Sequence, residues 1–528
     1  LPQTLVLTSA IDVLGPTTDF PLGNDDTVIG NGQTIQSGDS VDLAAGFDKA
    51  NLFLEPTSLL QLLSVYKLTL TNIEQVNVTA TNSINAAIPL QISADNWTGV
   101  QEFWLRDSNL GGTAGVILDD IQENMALGFD DYQGNALYLY DNGGLGPNAT
   151  VNVILQDASL VNLQTQTQAA TDEIGRLNLT VLGAGNNINL DLRTNGGGGS
   201  SDGLSQLFLF GDGNIAMSET EFNSLTVLNG SAHSGNWNIQ IPNSTAALAA
   251  IGGSGNNYLD FNGGFSAADS FNGGGGDDTL ETDANTAQFA TSANISGVEH
   301  LVVTGTLNAD RAYTNSAGFT DITLDDEITT GANDLQLNGF SSIFINGNDE
   351  PGLIQVNVAT ATITFGNGAD IDGSADATLD ISGVGSATLV NNVAGNTVEI
   401  DELTIFTPAP DAFTPAKQLG SLSFSGQGNW DLDDDINGTI GLVDLSAASG
   451  QFVMSGGDNF GPGTDYLVGA LDGGSIIRLD GPSEAANSKS ELVFTAAGLN
   501  GTVQIIGFDE VDFAGELVHD VLDFGALG

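Results

Sequence analysis

Short runs in which apolar and polar residues alternate recur along this chain, and they constrain its fold more than any other feature. Clear examples are Lys67–Thr71, Gln75–Thr79, Gln355–Val358 and Thr362–Phe365. Alternation with a period of two puts the apolar side chains on one face of a β-strand. Stretches rich in Gly, Asn and Asp, which favour turns, separate the runs. The pattern therefore predicts an all-β protein built of β-solenoid modules, β-sandwich modules or both, with very little helix.

Helical patterning is confined to three short stretches, at about residues 57–66, 157–174 and 244–251. The last has Ser244 as a candidate N-cap and Gly252 as a stop signal. Domain boundaries are expected where glycine or proline accumulates, as in a flexible hinge or a stiff connector. These boundaries predict four segments: an N-terminal β domain (1–195), a β segment after a Gly-rich hinge (196–250), a solenoid domain (251–406) and a C-terminal β domain (407–528).

The charge balance excludes several functions. The 528 residues include 66 acidic and 9 basic side chains, for a formal net charge of −57. A nucleic-acid-binding surface needs clustered Lys and Arg, so we expect no nucleic-acid partner. The absence of cysteine excludes disulfides, zinc–thiolate sites and thiol catalysis. The sequence also has no apolar run long enough to predict a transmembrane segment.

Folding this chain requires a source of positive charge. Carboxylates crowded on a compact body repel each other, and nine basic residues cannot pair with most of them. High salt and bound divalent cations are the two candidates. Because many of the acids lie in Gly/Asn/Asp turns, the sequence favours bound calcium, Ca²⁺, which prefers oxygen ligands.

The most specific motif lies between residues 252 and 281. Gly273–Glu281 matches the nonapeptide G-G-x-G-x-D-x-U-x at every defined place, where U is a large apolar residue. Asp269 and Asp260 precede Asp278 by nine and eighteen residues, so they keep the nine-residue step of the motif. An overlapping match begins at Gly252. In this pattern the glycines allow tight turns, the U side chain fills a solenoid core, and calcium binds between turns. The alternative is a set of ordinary turns. The candidate ligands are Asp260, Asp269, Gly273, Gly275, Asp277 and Asp278.

Two further segments are calcium candidates, with acidic turns as the alternative. Phe460–Val468 is an isolated copy of the nonapeptide with Phe at its first place, and it contributes Gly463 and Asp465. Residues 433–444 have the ligand spacing of a twelve-residue EF-hand loop, although the flanking sequence is strand-like. Its candidate ligands are Asp433, Asp435, Asn437, Thr439 and Asp444.

A weaker repeat places an acid after an apolar residue and immediately before an alternating strand. It occurs in Asn72–Val78, Gly297–Val303 and Gly507–Phe513. The simplest interpretation is a turn that recurs at the start of strands.

These motifs carry a resemblance to a known group. With Gly23–Val28, Gly38–Asp42 and the nonapeptides that lead into Gly297–Val303, the segments 8–54 and 250–310 resemble the RTX-type calcium-binding β-strand-repeat proteins of Gram-negative bacteria and cyanobacteria. That group includes surface-layer proteins and large adhesins. The resemblance implies calcium binding, an extracellular location at the bacterial cell surface, and export by type I secretion.

The expected function is structural rather than enzymatic. His233, His300 and His519 lie in no H-E-x-x-H motif, which excludes the metalloproteases of this group. We expect an extracellular protein that binds calcium and assembles with itself into a surface layer, sheath or similar lattice. Cell-surface polysaccharide or lipopolysaccharide is a candidate partner. Two alternatives remain open: a calcium-dependent adhesin that binds glycans or another cell, and a β-helix enzyme that modifies polysaccharides.

Overall fold

The computed structural model confirms an all-β fold. It describes residues 2–15, 24–81, 87–110, 115–122, 124–140, 148–159, 161–167, 174–193, 204–218, 222, 224–241, 246–261, 265–290, 294–326, 328–329, 333–346, 350, 352–372, 377–407, 417–438, 440–454, 460, 464–468, 471, 475–478, 491–494, 503–506 and 521–523. Within these ranges the elements are β-strands apart from two four-residue helices.

The first compact unit comprises Leu1–Gly264 and Ala268–Asp278. Its elements are β1 (Thr4–Val6), β2 (Val13–Leu14), β3 (Thr27–Asn31), β4 (Ser40–Asp42), β5 (Lys49–Leu54), α1 (Leu59–Leu62), β6 (Val65–Lys67), β7 (Thr69–Thr71), β8 (Gln75–Ala80), β9 (Leu90–Ser93), β10 (Trp97–Thr98), β11 (Glu102–Asn109), β12 (Gly115–Ile121), β13 (Ala126–Tyr140), β14 (Ala149–Gln156), β15 (Val161–Thr167), β16 (Ile174–Leu182), β17 (Asn186–Arg193), β18 (Gln206–Gly211), β19 (Ile215–Ser218), β20 (Val227–His233), β21 (Trp237–Gln240), β22 (Ala249–Ile251), β23 (Asn257–Phe261) and β24 (Ser270–Asn272).

The second compact unit comprises Phe265–Ala267 and Thr279–Gly528. Its elements are β25 (Thr279–Asp283), α2 (Ala287–Ala290), β26 (Ile295–Ser296), β27 (His300–Thr304), β28 (Arg311–Thr314), β29 (Asp321–Leu324), β30 (Leu335–Asn338), β31 (Ser342–Ile345), β32 (Leu353–Asn357), β33 (Thr360–Phe365), β34 (Thr378–Asp380), β35 (Ser386–Asn391), β36 (Thr397–Thr404), β37 (Phe406–Thr407), β38 (Lys417–Gln418), β39 (Ser421–Gly426), β40 (Asn429–Asn437), β41 (Leu442–Ala448), β42 (Phe452–Met454), β43 (Asp465–Val468), β44 (Ile476–Arg478), β45 (Glu491–Phe494), β46 (Gln504–Ile506) and β47 (Val521–Asp523).

The first unit is a parallel β-solenoid, in which each strand pairs with the equivalent strand of the next coil. In one sheet Val28 lies opposite Ala50, and Ala50 lies opposite Val76. A second sheet stacks β15, β17, β19, β21 and β23 in the same parallel sense, and a four-stranded sheet runs β10, β7, β4, β2. Hydrogen bonds between neighbouring coils join residues that are 20 positions apart in one place and 30 in another. The solenoid therefore tolerates coils of different length.

The second unit is built in the same way. One sheet stacks β27, β29, β31, β33, β35, β39, β41, β43 and β45, all parallel. The facing sheet runs β28, β30, β32, β34, β36, β40, β42. One short antiparallel pair, β37 with β38, accompanies the described coils. Stacked coils of this kind contact mainly their neighbours along the axis.

The alternation in the sequence explains the core. Val28, Ala50 and Val76 occupy matching positions on successive coils and are fully buried. Along each strand, the polar residues that alternate with these apolar ones face away from the core, because successive side chains on a strand point to opposite faces. Each coil thus adds one layer of apolar side chains to a core that runs along the unit.

The helix predictions were correct in one case out of three. Helix α1 lies within the predicted stretch 57–66, and its N-cap Ser58 accepts a hydrogen bond from the Gln61 N–H at 3.3 Å. The predictions for 157–174 and 244–251 were wrong, since those stretches contain β15 and β22. Their backbone groups pair with neighbouring coils, and that tertiary pairing outweighs local helix preference. Helix α2 was not predicted.

Some sequence-based predictions fall on segments outside the described ranges. The glycine-rich residues 195–201 and the proline-rich residues 408–415 are among them. The parallel ladder nevertheless joins β16 directly to β18, with Arg176 opposite Gln206. Of the helices in the described part of the chain, none is long and apolar enough to cross a membrane.

Candidate functional site

The nonapeptides form strands as predicted. Phe271 lies at the apolar place of one nonapeptide and is fully buried in β24. Leu280 holds that place in the next nonapeptide and is fully buried in β25. In the overlapping match from Gly252, Leu259 lies at the apolar place and is buried in β23. The structure thus follows the Gly252 register, in which Asn257 replaces the acid.

Two of the predicted calcium ligands are buried hydrogen-bond acceptors. The Asp278 Oδ1 accepts from the Asn257 backbone N–H at 2.7 Å and from Asn257 Nδ2 at 2.8 Å. The Asp269 Oδ1 accepts from the Leu248 N–H at 2.7 Å. Each bond joins a turn to the coil before it, 21 residues away. These carboxylates therefore stabilise coil stacking, and calcium binding by them stays a prediction.

The remaining candidates of this region have different surroundings. Asp260 lies on β23, and its Oδ2 accepts from Gln240 Nε2 at 2.7 Å. Asp277 is exposed, and its N–H donates to Asn256 Oδ1 at 3.1 Å. The Gly273 carbonyl accepts from Asn257 Nδ2 at 2.9 Å, whereas the Gly275 N–H donates to the preceding coil. These contacts place the six candidates in one region, but not around one point.

The strand-start turn is confirmed at two of its three positions. Glu74 immediately precedes β8 and accepts the Asp48 N–H at 2.7 Å. Glu299 immediately precedes β27, and its carbonyl accepts the Thr320 N–H at 2.7 Å. The third copy, residues 507–513, lies outside the described ranges.

The hydrogen-bonded turns around Glu74 include a second acid, Asp48, which is buried. The Asp48 Oδ1 accepts the Asp26 N–H at 2.6 Å, and Asp48 is fully buried. Burial is the largest cause that raises the pKa of the Asp48 carboxyl to about 6, and the neighbouring charges of Glu74, Asp26 and Asp25 raise it further. The hydrogen bond from Asp26 lowers the pKa in part. The N-terminal coils thus hold a carboxyl whose charge is disfavoured.

Residues 433–444 do not form one twelve-residue loop, so the predicted loop geometry was wrong, whereas calcium binding by these residues stays a prediction. Asp433, Asp435 and Asn437 lie on β40, which pairs with β36. Asp444 lies on β41, which pairs with β39 in the facing sheet, and its Oδ1 accepts the Ser446 N–H at 2.8 Å. Both strands contribute apolar side chains to the buried core, so strand pairing with neighbouring coils replaces the loop. Thr439 lies outside the described ranges.

The isolated nonapeptide is described only in part. Asp465 begins β43, and its N–H donates to the Gly441 carbonyl at 3.0 Å. Tyr466 and Val468 fill the core. Gly463 falls outside the described ranges, so calcium binding at this turn stays a prediction.

The described residues bring three carboxylates together in the second unit. Glu399 and Asp401 lie on β36, and Asp433 lies on the paired strand β40. One carboxylate oxygen from each residue lies within 4.8 Å of the other two, and all three residues are half-buried. An irregularity in the strand pairing falls between Ile400 and Glu402, next to the cluster. We call Glu399, Asp401 and Asp433 the carboxylate cluster.

The electrostatics of the cluster disfavour negative charge. The pKa of the Glu399 carboxyl is raised, first by burial and then by the charges of Asp372, Asp433, Asp431 and Asp401. Asp431 lies directly opposite Glu399 in the strand pairing. Five acids therefore share a small volume, and a bound cation would relieve their repulsion.

The donor set fits calcium. Ca²⁺ binds six to eight oxygens at about 2.3–2.6 Å, so oxygens on opposite sides of the ion are about 5 Å apart. The 4.8 Å limit within the cluster meets that requirement. Three carboxylates supply up to six oxygens, which agrees with the preference of a hard cation.

The sequence motifs contain only one member of this cluster. Asp433 was among the predicted ligands, whereas Glu399 and Asp401 were not. The signal in the sequence was the spacing of the acids, since Glu399 and Asp401 are two residues apart on one strand, as are Asp431 and Asp433. Residues two apart on a strand share a face, so two such pairs on adjacent strands predict a cluster.

The fold and the carboxylate cluster define a class: a parallel β-solenoid protein with a candidate site for a divalent cation. No protein-family model matches the sequence, and no curated protein matches it either.

Proposed function

We propose that this is an extracellular structural protein of the bacterial cell surface, which binds calcium and assembles with itself into a surface layer, sheath or similar lattice. The carboxylate cluster of Glu399, Asp401 and Asp433 is the observation that carries the calcium-binding part of the proposal. The resemblance of the nonapeptides to RTX-type proteins supports the same function.

The charge of the whole chain supports a role for cations in assembly. Lys67 pairs with Asp95, and Arg106 pairs with Asp130. Nine basic residues can neutralise only a small part of 66 acidic ones. Two copies of a chain with a formal charge of −57 repel each other, and divalent cations reduce that repulsion. Assembly should therefore depend on calcium more strongly than the folding of each coil does.

The repeated coils suit a structural role. A solenoid presents a long surface built from successive coils, so neighbouring molecules can make contacts along its length. Stability comes from the buried ladder of apolar residues and from side-chain bonds between coils, such as that between Asp278 and Asn257. Calcium would add to this by bridging β36 and β40 at the cluster.

The test is a calcium titration of the full chain after treatment with EGTA. Isothermal titration calorimetry measures binding, light scattering measures particle size, and circular dichroism measures β-structure. We expect binding at about 10⁻⁴ to 10⁻³ M, typical of extracellular calcium modules. Particle size should rise with calcium and fall again when EGTA is added, while β-structure largely persists.

A double variant assigns the response to the cluster. Glu399→Gln with Asp433→Asn keeps the side-chain shapes and removes two charges, so we expect binding at this site to weaken by about tenfold or more. Asp444→Asn is the matched control, because Asp444 belongs to the loop motif but lies on a strand of the facing sheet. Equal weakening by the control would mean that calcium binding does not depend on the carboxylate cluster. A chain that gives neither heat nor scattering with calcium would contradict the proposed function.

A further inference from the structure

Two arginines on the outer face of the first unit are held in closely similar ways. In the first arginine site, the Arg106 Nε donates to Asn77 Oδ1 at 2.8 Å, and Asn77 Nδ2 donates to Asn51 Oδ1 at 2.8 Å. The Arg106 guanidinium also lies over the Trp104 ring, 4.2 Å from the ring centroid. The asparagine bond and the aromatic ring therefore fix the plane of this guanidinium.

The second arginine site is centred on Arg176. Its Nε donates to Asn178 Oδ1 at 2.8 Å, and Asn178 Nδ2 donates to Asn152 Oδ1 at 2.9 Å. The Arg176 guanidinium lies 3.8 Å from the centroid of the Phe208 ring, and both side chains are half-buried. In both sites the second asparagine lies opposite the aromatic residue of the next coil. With Nε bonded, the two η-nitrogens of each arginine remain as donors for another group.

The two sites differ in the group that lies opposite the arginine. Asp130 lies directly opposite Arg106 on the next coil, and its carboxylate pairs with Arg106 Nη1. The residues opposite Arg176 on its two neighbouring coils are Thr150 and Gln206, which carry no charge. Arg176 makes no ion pair with any residue of the described ranges. The first site thus shows that a carboxylate binds an arginine held in this way, and the second site has no carboxylate at the matching position.

We infer that Arg176 binds a carboxylate from outside its own chain, and that a second copy of the chain supplies it. A planar guanidinium can form two parallel hydrogen bonds with a carboxylate, and these charge-assisted bonds are stronger than neutral ones. Charge complementarity favours a second copy, because each copy carries 66 acidic and only 9 basic side chains. A fixed arginine is thus a point at which one copy attracts the acidic surface of another. The inference rests on the proposed self-assembly and names one contact within it.

The test measures, by light scattering of the full chain in calcium, the protein concentration at which particles form. Arg176→Gln removes the charge, whereas Gln206→Glu places a carboxylate opposite Arg176, as Asp130 lies opposite Arg106. Each variant should raise that concentration by about tenfold or more. Arg106→Gln is the matched control, since it changes the net charge by the same one unit at a site that already has its carboxylate. It should change that concentration by less than about twofold. Circular dichroism verifies that the variants keep their fold.

A second measurement uses the wild-type chain alone. Phenylglyoxal modifies guanidinium groups, and mass spectrometry of peptides reports the rate at each arginine. Modification of Arg176 should slow by about tenfold between dilute and concentrated protein, because association protects the bound group by mass action. The rate at Arg106 should not depend on protein concentration, since Asp130 belongs to the same chain.

Three results would overturn the inference. The first is assembly that neither Arg176→Gln nor Gln206→Glu weakens. The second is equal weakening by Arg106→Gln, which would mean that net charge alone is responsible. The third is an Arg176 rate that does not depend on protein concentration but falls when sodium galacturonate is added, which would assign the carboxylate to a saccharide. Concentration-dependent protection of Arg176 without any calcium response would contradict the proposed calcium function alone, so the two failures are distinguishable.

Discussion

Replacing Asp48 with asparagine should stabilise the first coils at neutral pH. Asp48 is fully buried before β5 and links two turns, because it accepts the Asp26 N–H at 2.6 Å and donates its own N–H to Glu74 at 2.7 Å. Asparagine keeps an oxygen acceptor and the backbone donor. The substitution thus removes a buried charge and preserves the hydrogen bonds of the ladder.

The sign of the expected stability change follows from the raised pKa of the Asp48 carboxyl. The Asp48 carboxyl has a pKa of about 6 in the folded chain, against 3.8 as its ordinary value, mainly because of burial. Between these values the folded chain binds the proton more tightly, so stability falls as pH rises through this window. The shift corresponds to at most about 3 kcal/mol, and screening by nearby solvent reduces it to about 1–2 kcal/mol. Asp48→Asn should gain that amount at pH 8 and almost nothing at pH 4.

Hydrogen exchange followed by mass spectrometry measures this locally. Wild type and variant are compared at the same pH, for peptides that cover β3 to β5. Glu55→Gln is the control, since it removes one exposed charge from the same coil. Equal stabilisation by Glu55→Gln would mean that general charge repulsion, and not burial of Asp48, is responsible. A destabilised Asp48→Asn at pH 8 would refute the reasoning.

Two further predictions concern the nonapeptides. A Cβ at Gly253 would lie 2.0 Å from the His233 carbonyl oxygen, so Gly253→Ala should cost about 3 kcal/mol in thermal denaturation. Gly275→Ala should change stability by less than about 0.5 kcal/mol, because the atom nearest to a Cβ there lies 4.0 Å away; equal losses would contradict the stacking argument. Asp278→Ala should cost about 2 kcal/mol in urea denaturation, with or without calcium, because the buried Asn257 N–H loses its acceptor. A loss that appears only with calcium would identify Asp278 as a ligand instead.

The apolar/polar alternation and the nonapeptide predicted strands well, because each also indicates which side chains are buried. Alternation identified the strands around Val76 and Ile363, and the nonapeptide placed Phe271 and Leu280 in the core. Those predictions need only the two-residue period of a strand. The stretch 157–174 shows the limit of local reasoning, since Val161 is buried in a strand through pairing with Ile188 of the next coil.

The candidate site was predicted less well, because acids of one motif serve different purposes. Asp278 and Asp277 are adjacent in the same nonapeptide, yet the first is a buried acceptor and the second is exposed. Asp433 and Asp444 share one loop motif, yet they lie in facing sheets. The motif spacing fixes the order of the acids along the chain, whereas the pairing of the strands fixes which acids meet.

By itself, the amino-acid sequence determined the strand character, the turns and the excess of negative charge, since these depend on residue type and short-range period. Tertiary structure decided the stacking of coils, the burial of Asp48 and the meeting of Glu399 with Asp433. The physical reason is that coils differ in length, so residues that touch are separated by 20 residues in one coil and 30 in another. Only the hydrogen-bonded ladder between coils selects that register.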